Sequence, residues 1–88
     1  MNAEIELTLD QILNQIDKHD NELDFSEEQG LVRIVALDLL KRNLREKIEV
    51  INLSKNRLKM IEEVNNFPKL QILNASHNII EVAKLTTS

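Results

Sequence analysis

Apolar positions along this chain follow three rhythms. In the first, Leu9, Ile12, Leu13 and Ile16 fall at i, i+3, i+4 and i+7, which is one stripe of a short helix. Thr8 precedes the stripe and Gln11 lies three residues on, the spacing of a reciprocal capping box. The helix should fade around Lys18, because Asp17-Lys18-His19-Asp20-Asn21 is a run of turn formers. Ser26-Glu27-Glu28-Gln29 repeats the capping spacing, with acids in the first turn where a helix dipole favours them. In the second rhythm Leu31, Val32, Ile34, Val35, Leu37, Leu39, Leu40 and Leu44 spread around most of a helical wheel. They predict a second helix over residues 30–45, buried on more than one side. Lys41, Arg42 and Arg45 suit its C-terminus.

The third rhythm begins at Ile48, where one line is written twice. Ile48-x-x-Ile51-x-Leu53-x-x-Asn56-x-Leu58 is followed by Leu70-x-x-Leu73-x-Ala75-x-x-Asn78-x-Ile80. Every position keeps the same offset from its counterpart, as Leu70 does from Ile48 and Asn78 from Asn56. Ile51 and Leu53 alternate, as do Leu73 and Ala75, which predicts two short strands with these residues pointing into a core. Between them Ile61, Val64 and Phe67 recur every third residue, the spacing of a 3₁₀ or helical turn, and Pro68 closes that segment.

This line resembles the leucine-rich repeat, in its short 22-residue intracellular subclass, over residues 48–85. The resemblance implies an α+β architecture. A helical N-terminal cap of two helices (residues 1–46) would lead into a two-repeat solenoid of short parallel strands (residues 47–88) that lacks a C-terminal cap. It also implies that Asn56 and Asn78 form an asparagine ladder, in which side-chain amides satisfy turn backbone. The second return path, from Glu81 with its bulk at Val82, departs from the first. Residues 31–45 have an alternative. Ile34-x-x-Leu37-x-Leu39-x-x-Arg42-x-Leu44 also fits the strand line, but Ile34 stands too close to Ile48 for an ordinary repeat with its convex segment.

Asp17 to Glu28 resembles a degenerate EF-hand loop between two helices, most closely at Glu22-Leu23-Asp24-Phe25. Calcium needs oxygen ligands at loop positions 1, 3, 5, 7, 9 and 12, and a glycine at 6. Counted from Asp17, His19 takes position 3 and Glu22 the glycine slot; counted back from Glu27, Ile16 takes position 1. A solvated acidic linker between helices fits better, and no metal ligand is assigned.

Composition changes this picture in three ways. With Phe25 and Phe67 as the only aromatics, the core must be largely aliphatic. With no cysteine, there is no disulfide, thiolate metal site or cysteine nucleophile, and a reducing compartment is expected, cytoplasmic or nuclear. The acidic start Met1-Asn2-Ala3-Glu4-Ile5-Glu6 does not read as a signal peptide, and no stretch has the ~20 apolar residues of a membrane span. Residues 1–46 hold 11 acids and 5 bases, whereas residues 47–88 hold 4 acids and 6 bases. That step supports a boundary near Glu46, and the net charge of −4 disfavours nucleic acid, which needs a concentrated basic surface.

No nucleophile with a base beside it is visible, and His19 and His77 stand in no metal spacing. Gly30, the only glycine, cannot make a phosphate loop. Asn52-Leu53-Ser54 and Asn74-Ala75-Ser76 match the glycosylation sequon but are ordinary repeat consensus. The expected protein is not an enzyme and carries no cofactor. It is expected to be a protein–protein interaction module. Its concave face would present Glu49, Val50, Asn52, Ser54, Lys55, Gln71, Ile72, Asn74, Ser76 and His77. Val50 and Ile72 sit one repeat apart, an apolar pair in a polar surround. The partner is a protein, or a second copy at the exposed C-terminal repeat. Two alternatives remain: a ribonucleoprotein adaptor, suggested by Lys55, Arg57 and Lys59 though lacking a stacking platform, and a calcium-responsive helix–loop–helix.

Overall fold

A computed structural model describes residues 5–26 and 28–80. The fold is mixed α+β, with two helices and short parallel strands in two small sheets. The described elements are β1 (Ile5–Glu6), α1 (Leu9–His19), β2 (Glu22–Asp24), β3 (Leu31–Arg33), a 3₁₀ turn at Val35–Leu39 and α2 (Arg42–Arg45). Then come β4 (Val50–Asn52), a second 3₁₀ turn at Glu62–Asn66 and β5 (Ile72–Asn74). β1 pairs with β3, and β2, β4 and β5 pair in that order, all parallel.

α1 starts and ends close to where its residues predict. The Gln11 N–H donates to Thr8 Oγ1 at 3.2 Å, and the Thr8 N–H donates back to Gln11 Oε1 at 2.9 Å. This closes the capping box and satisfies two amides at the helix start. Ile12 is buried, and polar side chains on the same helix tie it to its neighbour. Gln15 Oε1 accepts from the Asp24 N–H at 3.3 Å, and Gln11 Nε2 donates to Glu28 Oε1 at 3.3 Å. α1 therefore covers the free side of β2.

Two expectations are corrected here. Residues 22–24 are not a solvated linker or the middle of a helix–loop–helix; they form a strand. Glu22, Leu23 and Asp24 pair with Val50, Ile51 and Asn52, and those in turn with Ile72, Leu73 and Asn74. The physical reason is alternation: Leu23 and Phe25 point the same way and are both buried, which a surface loop would not allow. Ser26 does not cap a helix either, because its hydroxyl donates to Asp24 Oδ1 at 2.7 Å.

Residues 30–45 do not form one long helix, nor a strand over Ile34–Leu44. They divide into β3, a 3₁₀ turn and the four-residue α2. Leu31, Ile34, Leu37 and Leu40 are buried and recur every third residue, while Leu39 and Val35 lie exposed. That is a three-fold rhythm, and it reappears in Leu58, Ile61, Val64 and Phe67, all buried. Ile34 (φ −126, ψ 28) and Ile61 (φ −134, ψ 32) open the two 3₁₀ turns with nearly the same backbone, and the turns pack against each other.

The strands are not evenly spaced along the chain: the step from Glu22 in β2 to Val50 in β4 is longer than the step from Val50 to Ile72 in β5. Matching the apolar positions locates the excess. The turn from Asp24 to Leu31 is one residue longer than that from Asn52 to Leu58. The rest of the excess lies between Leu40 and Ile48, whose counterparts Phe67 and Leu70 are much closer together, and α2 sits in that insertion. The charge step near Glu46 marks no gap in packing, since a single core cluster runs from Leu7 to Phe67.

The turns after the strands are joined by asparagine. Asn56 is buried; its Oδ1 accepts from the Leu31 N–H at 3.1 Å, and its Nδ2 donates to the carbonyls of Phe25 (3.0 Å), Leu53 (3.1 Å) and Ser54 (3.2 Å). Asn78 repeats this one unit later, accepting from the Leu58 N–H at 2.9 Å and donating to the carbonyls of Leu53, Ala75 and Ser76. Lys55 and His77 (φ 60 and 57) turn the chain so that the next residue, the asparagine, enters the core side. Expectations placed on residues 81–88, including the absent C-terminal cap, lie outside the described residues.

Asn56→Ala strips buried backbone groups of their partners and should cost about 2–3 kcal/mol, measured by urea denaturation. Asn78→Ala, at a less buried site, should cost less. Leu23→Ala should cost about 2–5 kcal/mol, as a core position in a strand. A cost below about 0.5 kcal/mol, the value for a surface linker, would contradict the strand assignment.

Candidate interaction surface

Because Leu23, Ile51 and Leu73 point inward, the residues on either side of them in β2, β4 and β5 face the other way. Two rows result. The first is Glu22–Val50–Ile72, and the second is Asp24–Asn52–Asn74. Val50 is half-buried, whereas Ile72 is 58% exposed, a large share for an isoleucine in a strand. The pair forms an apolar strip with an acid, Glu22, continuing its row.

The second row is held by local hydrogen bonds that recur three times. Asp24 Oδ1 accepts from the Ser26 N–H at 2.9 Å and from its hydroxyl at 2.7 Å. Asn52 Oδ1 receives the same pair from Ser54 at 3.1 and 2.8 Å, and Asn74 Oδ1 from Ser76 at 3.1 and 2.8 Å. Each side chain is thereby fixed in one orientation. Such a pre-ordered polar row would lower the entropy cost of any contact made to it.

The ten residues expected on this surface are not equivalent. Val50, Asn52, Ile72 and Asn74 are brought together on the sheet face. Ser54 is buried and its hydroxyl is committed to Asn52, so it offers a partner little. Glu49 and Gln71 lie before the strands. The Glu49 carboxylate accepts from Asn21 Nδ2 at 3.1 Å, and its carbonyl accepts from the Gln71 and Ile72 N–H groups. Lys55, Ser76 and His77 lie beyond the opposite ends of the strands, at the turns, and all three are exposed. The surface is thus an apolar strip and a polar row, with acid at one rim and base at the other.

Sequence reasoning missed Glu22 and Asp24, which occupy the same rows on β2. A signal was present: Asp24-Phe25-Ser26 matches Asn52-Leu53-Ser54 and Asn74-Ala75-Ser76 as an Asx, an inward apolar residue and a serine. The longer step from Asp24 to Asn52 hid it behind the regular one from Asn52 to Asn74.

Among the described residues no group of three His, Cys, Asp or Glu side chains is placed to hold a metal ion. No helix among them is long and apolar enough to cross a membrane. Compared with known proteins, the chain matches no family model, and no curated protein or solved structure matches it significantly.

Millimolar calcium should leave the melting temperature unmoved, because the expected loop is split between the end of α1 (Asp17–His19) and β2 (Glu22–Asp24) and does not wrap one centre. A calcium-dependent rise, which only binding to the folded state produces, would show that a site exists. Ile72→Thr should change stability by no more than about 0.5 kcal/mol in thermal melts, since this side chain is largely outside the core.

Proposed function

We propose that this chain is a leucine-rich-repeat module of the short intracellular type, and that it binds a protein partner through the outward face of β2, β4 and β5. Four features support the family reading. The strands are parallel and in register, β4 and β5 follow each other at the period of the short repeat, 3₁₀ turns with matching backbone return the chain, and the asparagine amides of Asn56 and Asn78 bridge successive turns. In this reading β2 and its turn are a third, longer unit preceding the two legible in the sequence, with β1 and α1 covering the first.

One observation carries the functional reading: Val50 and Ile72 stand side by side in register, with Ile72 exposed beside an ordered polar row. An apolar centre with a polar rim is the make-up of a protein interface rather than of a small-molecule pocket. The proposed role is non-enzymatic and needs no cofactor.

No observation favours the ribonucleoprotein alternative. Phe25 and Phe67, the only Phe, Tyr or Trp residues of the chain, are both buried, so no aromatic platform faces solvent for base stacking. Arg57 and Lys59 share their surroundings with Glu62 and Glu63, which a phosphate backbone would have to approach.

The test is affinity capture from a lysate with three baits: the wild-type chain, Ile72→Lys, and Leu39→Lys as an exposed site away from the sheet. A partner held by the wild type and by Leu39→Lys should weaken by at least about tenfold with Ile72→Lys, the loss expected of a central apolar anchor. Partners held equally by all three baits would remove the sheet face from consideration.

A further inference from the structure

Away from the sheet face lies a second feature that this function does not use. A half-open groove of about 580 Å³ is lined by Val32, Arg33, Ile34, Val35, Arg57, Lys59, Met60, Glu62, Glu63 and Ile79, none of them in β2, β4 or β5. Its volume falls within the range of ligand-sized clefts. Six large apolar residues are exposed among the described residues, and three of them, Val35, Met60 and Ile79, line this one groove. Apolar exposure gathered in a concavity is less ordinary than the same exposure scattered over a surface.

Arg33, Arg57 and Lys59 form no ion pair among the described residues, where the single ion pair is Arg42 with Glu46. The groove therefore presents three cations around an apolar floor, against two carboxylates, in a chain whose net charge is −4. Glu62 and Glu63 share the groove with these cations, so an anionic ligand has to place its charges on the cation side. The cations call for carboxylates and the exposed Val35, Met60 and Ile79 for an apolar side chain. A peptide supplies an apolar side chain for the floor and carboxylates that can be spaced away from Glu62 and Glu63, whereas a polyphosphate brings continuous charge to the glutamates and nothing to Val35, Met60 and Ile79.

We infer that this groove binds a short linear peptide segment of a partner protein, carrying one large apolar side chain flanked by acidic residues. The apolar side chain packs on Met60, Val35 and Ile79, and its acidic neighbours pair with Arg33, Arg57 and Lys59. This site is independent of the sheet face, so one chain can hold two segments at once. Occupancy of both raises the effective concentration of the second contact without any new interface.

Two fluorescein-labelled peptides, Glu-Asp-Leu-Asp-Glu and Lys-Lys-Leu-Lys-Lys, test this by fluorescence anisotropy at low ionic strength, with amide chemical shifts read in parallel. The acidic peptide should bind and the basic one should not. Arg57→Glu and Lys59→Glu should each weaken binding by about five- to tenfold, as expected for charges that steer and pair at a rim. Met60→Ser should weaken it to a similar degree, and Ile72→Lys should leave it unchanged. All four positions are exposed, and thermal melts would verify that each variant folds. Shifts should gather at Arg33, Arg57, Lys59, Met60 and Ile79. Equal binding of both peptides, shifts centred on Val50 and Ile72, or no shift at millimolar peptide would each overturn the proposal.

Discussion

The buried side-chain amide of Asn56 is the contact around which the rest of this structure is arranged. A chain that leaves a strand and turns at once buries backbone groups that no strand or helix can pair. Asn56 answers four of them at once, three carbonyls and the Leu31 N–H, drawn from its own turn and the one before. A single amide group thus fixes the distance between successive turns, and so the register of the strands that feed them. An unpaired group at this depth would cost on the order of 1–3 kcal/mol, which is large for a chain with so small a core.

That constraint explains where the units differ. The turn after β2 is one residue longer and carries Gln29, not asparagine, two residues before Leu31, the place Asn56 holds before Leu58. Among the described residues nothing precedes β2 in its sheet, so no earlier turn needs bridging there. The α1 helix does the equivalent work by another route, with Gln15 taking the Asp24 N–H. The larger insertion, α2, lies on the return path between Leu40 and Ile48, a segment to which Asn56 and Asn78 make no hydrogen bond. The one-residue excess after β2, by contrast, falls between Phe25 and Leu31, both held by Asn56, so there the amide fixes the ends of the turn and not the number of residues between them.

The same constraint decides what could be read from the residues alone. Between Ile48 and Ile80 two asparagines and their apolar companions keep one phase, so the strands and inward residues there were legible, as was the capped stripe of α1. Upstream the phase is broken twice, in the turn after β2 and again at α2, and the asparagine is absent. The remaining clues were Leu23 and Phe25, two inward residues inside an acidic stretch, and those acids argued for solvent. Tertiary pairing with β4 overrode that local signal, and the apolar run from Leu31 to Leu44 read as a helix although its large buried side chains, Leu31, Ile34, Leu37 and Leu40, recur every third residue.

For the surface, legibility had a different limit. Alternation shows that Val50 and Ile72 oppose the core, but it does not tell Ser54, which is buried and bonded, from Ser76, which has the same bonds and lies exposed. Both serines satisfy an Asx side chain in the same way; what separates them is only that Ser54 belongs to the central strand's turn and Ser76 to the outer one. Nor could the groove be foreseen, since Val35 and Ile79 are distant in sequence and come to line one groove with Met60 only because successive units stack. A repeat makes its core readable because each unit obeys the same burial rule. The proposed recognition surfaces lie between units, where residues that share no pattern become neighbours, and so the chemistry on which a partner would depend is the part that one-dimensional periodicity leaves out.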